Sequence, residues 1–302
     1  MSLGAKILSG TIWVSVDKFG TMFLQFFVNL ILARLLTPAD YGCIGMLAIF
    51  IVVSQVLIDG GFGSALIQKK QPTQVDYSTI FFWNLFFACF LYVVLFFSAS
   101  QIALFFKMPL LSDVLKVLGL ILIINSLGII QNNRLRKLLA FKKISLVNVL
   151  SLSAASLVGV FLAYRGWGVW SLVAMQLINA LLNAGTLWLV ARWYPSWTFS
   201  FAILKELFSF GGFLLASNVL QEICKNLQGL IIGRKFSSTE MGLYSQAKKL
   251  DDVACLTLPN VIMQVLFPVY AQLQNDLKQL RKTLDMSVQV ISFVTFPLVA
   301  IF

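Results

Sequence analysis

Histidine is absent from all 302 residues, and charged residues of every kind make up only 12% of the chain. The commonest general base and a common metal ligand are therefore missing. Cysteine is sparse: Cys43, Cys89, Cys224 and Cys255 fall on four separate apolar segments with no paired spacing. That distribution speaks for ordinary packing and against a disulfide framework or a zinc centre. Long polar loops are missing as well, so no soluble domain is inserted between the apolar runs. No catalytic residue, metal site or cofactor is expected.

What the chain does contain is apolar: 59% of its residues are hydrophobic, with a mean hydropathy of +0.88. A water-soluble domain of this size could not hide that much apolar surface in one core. Apolar runs of about 20 residues recur, each long enough as a helix to cross a hydrocarbon layer of about 30 Å. The short alternating segments of membrane strands do not occur. The reading is an all-α, multi-pass integral membrane protein with eight complete spans, near 9–32, 41–66, 78–106, 110–131, 144–164, 168–191, 207–232 and 242–271. A ninth opens near Leu284 and reaches Phe302 without a closing polar flank, as expected of a chain cut short. The first span keeps its charges and has no small-residue cleavage site, so it is read as a retained helix.

With the N-terminus placed in the cytoplasm, thirteen basic residues flank the inner ends of the spans and five flank the outer ends. Lys18, Lys116, Lys225, Lys248 and Lys249 lie within or beside helices and do not enter that count. Basic loops resist translocation, so the asymmetry favours a cytoplasmic N-terminus. It also accounts for most of the net charge of +11, and nucleic acid is not expected as a partner. The cluster "NNRLRKLLAFKK" reads chiefly as a topology determinant beside anionic headgroups.

"ILARLLTPADYG" (Ile31–Gly42) and "IIGRKFSSTEMG" (Ile231–Gly242) align without a gap at an offset of 200. Arg34 meets Arg234, Thr37 meets Ser237, Asp40 meets Glu240 and Gly42 meets Gly242. A hydroxyl residue three positions before an acid, at the start of an apolar run, is a capping-box pattern, and Pro38 suits the first helical position. Six spans separate the copies, so both enter the membrane the same way up. Such a parallel repeat makes two lobes with a working cavity between them.

The first span carries "VSVDKFGTMFLQFFVN". At about 100° per residue, Thr21, Gln25 and Asn29 fall within about 60° of Lys18 and make one polar face. Asp17 lies about 100° away. The offset of 200 carries this stripe to Asn218, Gln221, Lys225 and Gly229, widened by Ser217 and Gln228. Glu222 stands three residues before Lys225, within ion-pair reach. Charged groups at membrane depth usually face a bundle interior or a hydrated cavity, which predicts a polar, partly cationic cleft between the first and seventh helices. The alternative is that Lys18 snorkels and that Glu222 and Lys225 neutralise each other. "IDGGFGSALIQKK" lacks the lysine spacing of a phosphate loop, and Gly60, Gly61 and Gly63 are read as close-packing positions.

With these motifs in view, "ILARLLTPADYG", "LIDGGFGSALIQKK" and "GTIWVSVDKFGTMFLQFFVNLILARLL" resemble the Wzx-type polysaccharide flippases. These belong to the superfamily that also holds the MATE drug exporters and lipid II flippases. The resemblance implies a two-lobed MATE-like bundle of parallel six-helix repeats, with residues 1–200 forming the first lobe and 201–302 opening an incomplete second. It implies a transporter, not an enzyme, that moves undecaprenyl-diphosphate-linked oligosaccharide across the bacterial inner membrane by alternating access. Lys18 and Lys225 would then meet the diphosphate, and Thr21, Gln25, Asn29, Asn218, Gln221 and Gln228 the glycan. Asp17 and Glu222 would serve as ion-pair or proton-coupling groups. Membrane lipids, a polysaccharide polymerase and chain-length proteins are the implied partners. Three alternatives stay open: a MATE-type drug/cation antiporter, a membrane-embedded polymerase or ligase, and an inactive truncated remnant.

Overall fold

The computed structural model describes residues 3–248, 266, 270 and 277–301. Lys249, Cys255 and most of the expected eighth span lie outside the described residues. Every regular element described is helical. In chain order they are α1 (Leu3–Leu35), α2 (Pro38–Asp59), α3 (Phe62–Gln68), α4 (Gln74–Phe105), α5 (Leu110–Leu118), α6 (Leu120–Lys137), α7 (Phe141–Tyr164), α8 (Val169–Ala191) and α9 (Phe201–Lys235). A helical stretch over 238–248, α10, and α11 (Leu277–Ile301) follow. Among the described residues six segments are long and apolar enough to cross a bilayer, and a seventh if α9 counts as one bent span.

Two of the expected spans are interrupted. The run 41–66 breaks at Gly60 and Gly61, both at positive φ (58° and 72°), where a β-carbon is disfavoured. The run 110–131 is two helices that meet at Gly119. Both breaks escape hydropathy because the apolar runs on either side dominate, Asp59 being the one charged residue at the first.

Helix starts follow local chemistry. Thr37 and Asp40 form the expected capping box, with the Thr37 amide donating to Asp40 Oδ2 at 2.9 Å and the Asp40 amide to Thr37 Oγ1 at 3.4 Å. Ser237 and Glu240 do the same at 2.8 and 3.2 Å. A third box, Thr73 with Asp76, opens α4. The box alone therefore does not mark the repeat.

The packing pairs α1 with α7, α7 with α8, α8 with α6, α6 with α4, and α4 with α5, while α9 lies along α2 and touches α3 and α4. The largest core cluster centres on Leu47, Leu111, Leu115 and Leu122. A second, around Phe62, Phe81, Trp193 and Leu204, ties α3 and α4 to the segment that leads into α9. Large apolar side chains such as Phe23, Phe97, Leu157 and Phe213 face outward, whereas Asp76, Ser78, Asn84 and Gln131 are buried. This inverted distribution is what a bilayer solvent requires.

Candidate functional site

Asp17 and Lys18, adjacent in sequence, point into different environments. Asp17 is 7% exposed. Its Oδ2 accepts from Asn148 Nδ2 on α7 at 3.0 Å, and Asn148 Oδ1 in turn accepts from Asn183 Nδ2 on α8 at 2.9 Å. Asp17 thereby ties α1 to the α7–α8 pair, and its Oδ1 is buried without a hydrogen-bond partner. Lys18 and Asn29 are half-buried and Gln25 is exposed. Thr21 is turned back on its own helix, donating to the carbonyls of Asp17 (2.6 Å) and Lys18 (3.1 Å).

On α9, Asn218, Gln221, Lys225 and Gln228 are all exposed. Lys225 pairs with Glu222 at 3.3 Å, and Asn226 donates to the Glu222 carbonyl at 2.9 Å. Gln228 accepts from the Tyr244 hydroxyl at 2.9 Å, and Gly229 is buried beneath Met241. Since α1 lies against α7 and α9 against α2, the two stripes belong to separate helix pairs.

Sequence reading alone missed the charges near Asp17. Arg136 of α6, which the inner-flank count treated as a loop base, is half-buried on a helix. It donates to Asn132 Oδ1 at 3.1 Å and stands in the field of both Asp17 and Asp59. The Asp59 carboxyl lies beside the amides of Gly61 and Gly63 at the start of α3. Lys137 caps its other end, donating to the carbonyls of Leu66 (3.1 Å), Ile67 (2.8 Å) and Lys69. The seven-residue α3 is thus held between an anion at its amino end and a cation at its carboxyl end, as the helix dipole favours. An open pocket of about 290 Å³, lined among others by Gln55, Asp59, Asn125, Asn132 and Asn183, adjoins these groups.

The segment between α8 and α9 is bonded to the start of α4. Trp193 Nε1 donates to Gln74 Oε1 at 2.6 Å, the Ser196 amide to Ser78 Oγ at 3.0 Å and the Ser200 amide to Thr79 Oγ1 at 3.2 Å. Lys69 bridges Asp76 (3.0 Å) on α4 and Glu206 (3.1 Å) on α9. Burial alone would lower the Lys69 ammonium, but the two carboxylates outweigh it and raise it above the ordinary lysine value. At the other end, the Ser237 amide and hydroxyl hold the exposed Glu240 carboxyl below its usual value.

A family model described as "Polysaccharide biosynthesis protein" matches residues 31–302. The chain belongs to that family. It is 28% identical to the teichuronic acid biosynthesis protein TuaB of Bacillus subtilis, over 98% of this chain and 62% of that protein. It is 27% identical to the succinoglycan biosynthesis transport protein ExoT of Rhizobium meliloti, over 98% of this chain and 60% of that one. The lipopolysaccharide biosynthesis protein WzxC of Escherichia coli is 24% identical, over 98% and 61%. The chain thus spans about three fifths of the length of these relatives. The solved MATE multidrug transporter DinF-BH superposes with a TM-score of 0.74 at 15% identity, covering 99% of this chain and 72% of that structure. The fold of this family member is MATE-like, and the protein is a multi-pass membrane protein.

Proposed function

We propose that this chain is part of a flippase that moves a polyprenyl-diphosphate-linked oligosaccharide from the inner to the outer leaflet of a bacterial cytoplasmic membrane, with its N-terminus in the cytoplasm. One observation carries the reading. Lys18 stays on the polar face of α1 while its neighbour Asp17 is drawn into the core by Asn148, which leaves that face cationic. Lys225 supplies a second cation on α9, balanced in part by Glu222 at 3.3 Å. Ammonium groups suit a diphosphate; amides such as Gln25, Asn218 and Gln221 suit sugar hydroxyls; and the lipid tail can stay in the bilayer. The transport and polysaccharide roles in the names of the relatives agree with this cargo.

The second reading is drug or cation export, favoured by the structural neighbour. A cationic cargo calls for exposed acids on the walls, whereas Asp17 is turned away. Surface polysaccharide and lipid-linked repeat units, measured in cells that depend on this protein, separate the two. In the Lys18→Ala/Lys225→Ala double variant, each lost charge-assisted bond costs roughly 1.5–3 kcal/mol. Export should therefore fall by at least about tenfold, with repeat units accumulating inside. Normal export by that variant removes the lysines from the mechanism, and sensitivity to cationic drugs in its place would favour the second reading. A polymerase or chain-length protein of the same pathway is the expected partner, testable by co-purification in mild detergent.

A further inference from the structure

Gly42 and Gly242, which correspond under the 200-residue offset, meet in one contact that reads the same from either side. A β-carbon on Gly42 would overlap the carbonyl oxygen of Ser238, and a β-carbon on Gly242 would overlap the carbonyl oxygen of Pro38. Residues 38 and 238 correspond as well, so each helix start lays its glycine on the other's carbonyl. One turn further along, Gly45 faces its own counterpart, Ser245, whose Cβ lies 3.4 Å from the place a Gly45 β-carbon would occupy. The Tyr41 hydroxyl meets the Gln246 side chain beside them. Backbones this close hold through dispersion and Cα–H···O contacts, each worth on the order of 0.5–1 kcal/mol. Such a contact is weak in each part, strict in shape and lost all at once when the surfaces separate.

The opposite end of α2 is held differently. There Gly61 packs on the backbone of Gly211, at the point where α9 bends by 60° between Ser209 and Gly211. The strand of chain before it is bonded to α4, and Lys69 holds Glu206. The seam that α2 makes with α9 and α10 is thus pinned at this end by side chains and by the chain itself. At the other end the fitted glycines of α2 and α10 lie over Cys43, Met46 and Met241 of the main core cluster.

We propose that the reciprocal Gly42/Gly242 contact is a latch. Closed in this structure, it shuts the end of the cleft remote from the N-terminus, and it parts for cargo to leave there, the lobes swinging about the pinned Gly61–Gly211 end. This inference rests on the transport reading above.

A disulfide tests it. The 3.4 Å separation is close to the usual Cβ–Cβ distance across a disulfide, about 3.5–4.5 Å. Gly45→Cys with Ser245→Cys, in a chain whose four native cysteines are serine, should therefore cross-link under a mild oxidant. Surface polysaccharide should then fall at least tenfold, recover on reduction, and stay normal with either cysteine alone. High cross-link yield with unchanged export would overturn the latch, as would failure of the pair to cross-link at all. A second measurement is independent of cargo. Gly42→Ala inserts a methyl group against Ser238 and should cut the cross-link yield several-fold; an unchanged yield would also overturn the proposal. If the cysteine-free parent exports no polysaccharide where the native chain is equally silent, the transport reading fails, and the Gly42→Ala result still judges the contact.

Discussion

Glu240 is exposed, yet its carboxyl is held below the usual glutamate value by the amide and hydroxyl of Ser237. A folded value below the unfolded one means that the cap contributes fully above the ordinary glutamate range and is lost as the pH falls through the lowered folded value. Hydrogen exchange at the Ser237 and Glu240 amides should therefore be slow near neutrality and speed up in acid beyond the intrinsic pH dependence. In Glu240→Gln that excess should vanish. The spacing of hydroxyl and acid made this box and its mate at Thr37 legible in the sequence, because a cap needs only four consecutive residues. The same spacing in "TQVD" is the third box, unread because it has no partner at the 200-residue offset. Asp17 was the opposite case. Helical geometry separated it from Lys18, but its bond to Asn148, 131 residues away, depends on which helix α1 meets, and no local pattern encodes that.

Among the elements, α3 shows most clearly what hydropathy hides. Its apolar run joins smoothly to α2, so the two read as one span, and the break depends on two left-handed glycines and on charged groups from α2 and α6. Gly61 combines a φ of 72° with the backbone of Gly211 pressed where a side chain would go. Gly61→Ala should destabilise the protein by roughly 1–3 kcal/mol from backbone strain alone, with further cost from the overlap. A thermal melt in detergent, with Gly212→Ala as the comparison, measures it; a melting point shared by the two variants would remove the strain argument. For α9, the stripe was readable because its polar residues keep helical spacing, whereas its bend was not, since "SFGGF" continues the apolar period without interruption.

At the scale of the whole molecule the solvent inverts the usual pattern, with aromatic rings outside and ionised groups inside. Composition alone therefore fixed the class. The interior charges are coupled: Asp17 and Asp59 both stand in the field of Arg136, and Asp17 in that of Lys18 as well. Removing one partner from such a set leaves an uncompensated charge and costs about 3–5 kcal/mol, less where a cavity admits water. Arg136→Met should thus lower the thermal midpoint markedly, and Asp59→Asn added to it should restore part of the loss; an additive loss would show that the two residues act apart. The two matching stretches were legible at the 200-residue offset, but the contact between them was not, since register between distant helices leaves no trace in either one. That contact bears on self-association. A patch that fits its own repeat also fits a second copy of itself, in the manner of a two-fold interface. Pro38 and Gly42 together contain both halves of the pairing seen with Ser238 and Gly242. A chain carrying only the first of these two stretches would already present the surface needed to meet a second copy of itself as a symmetric pair.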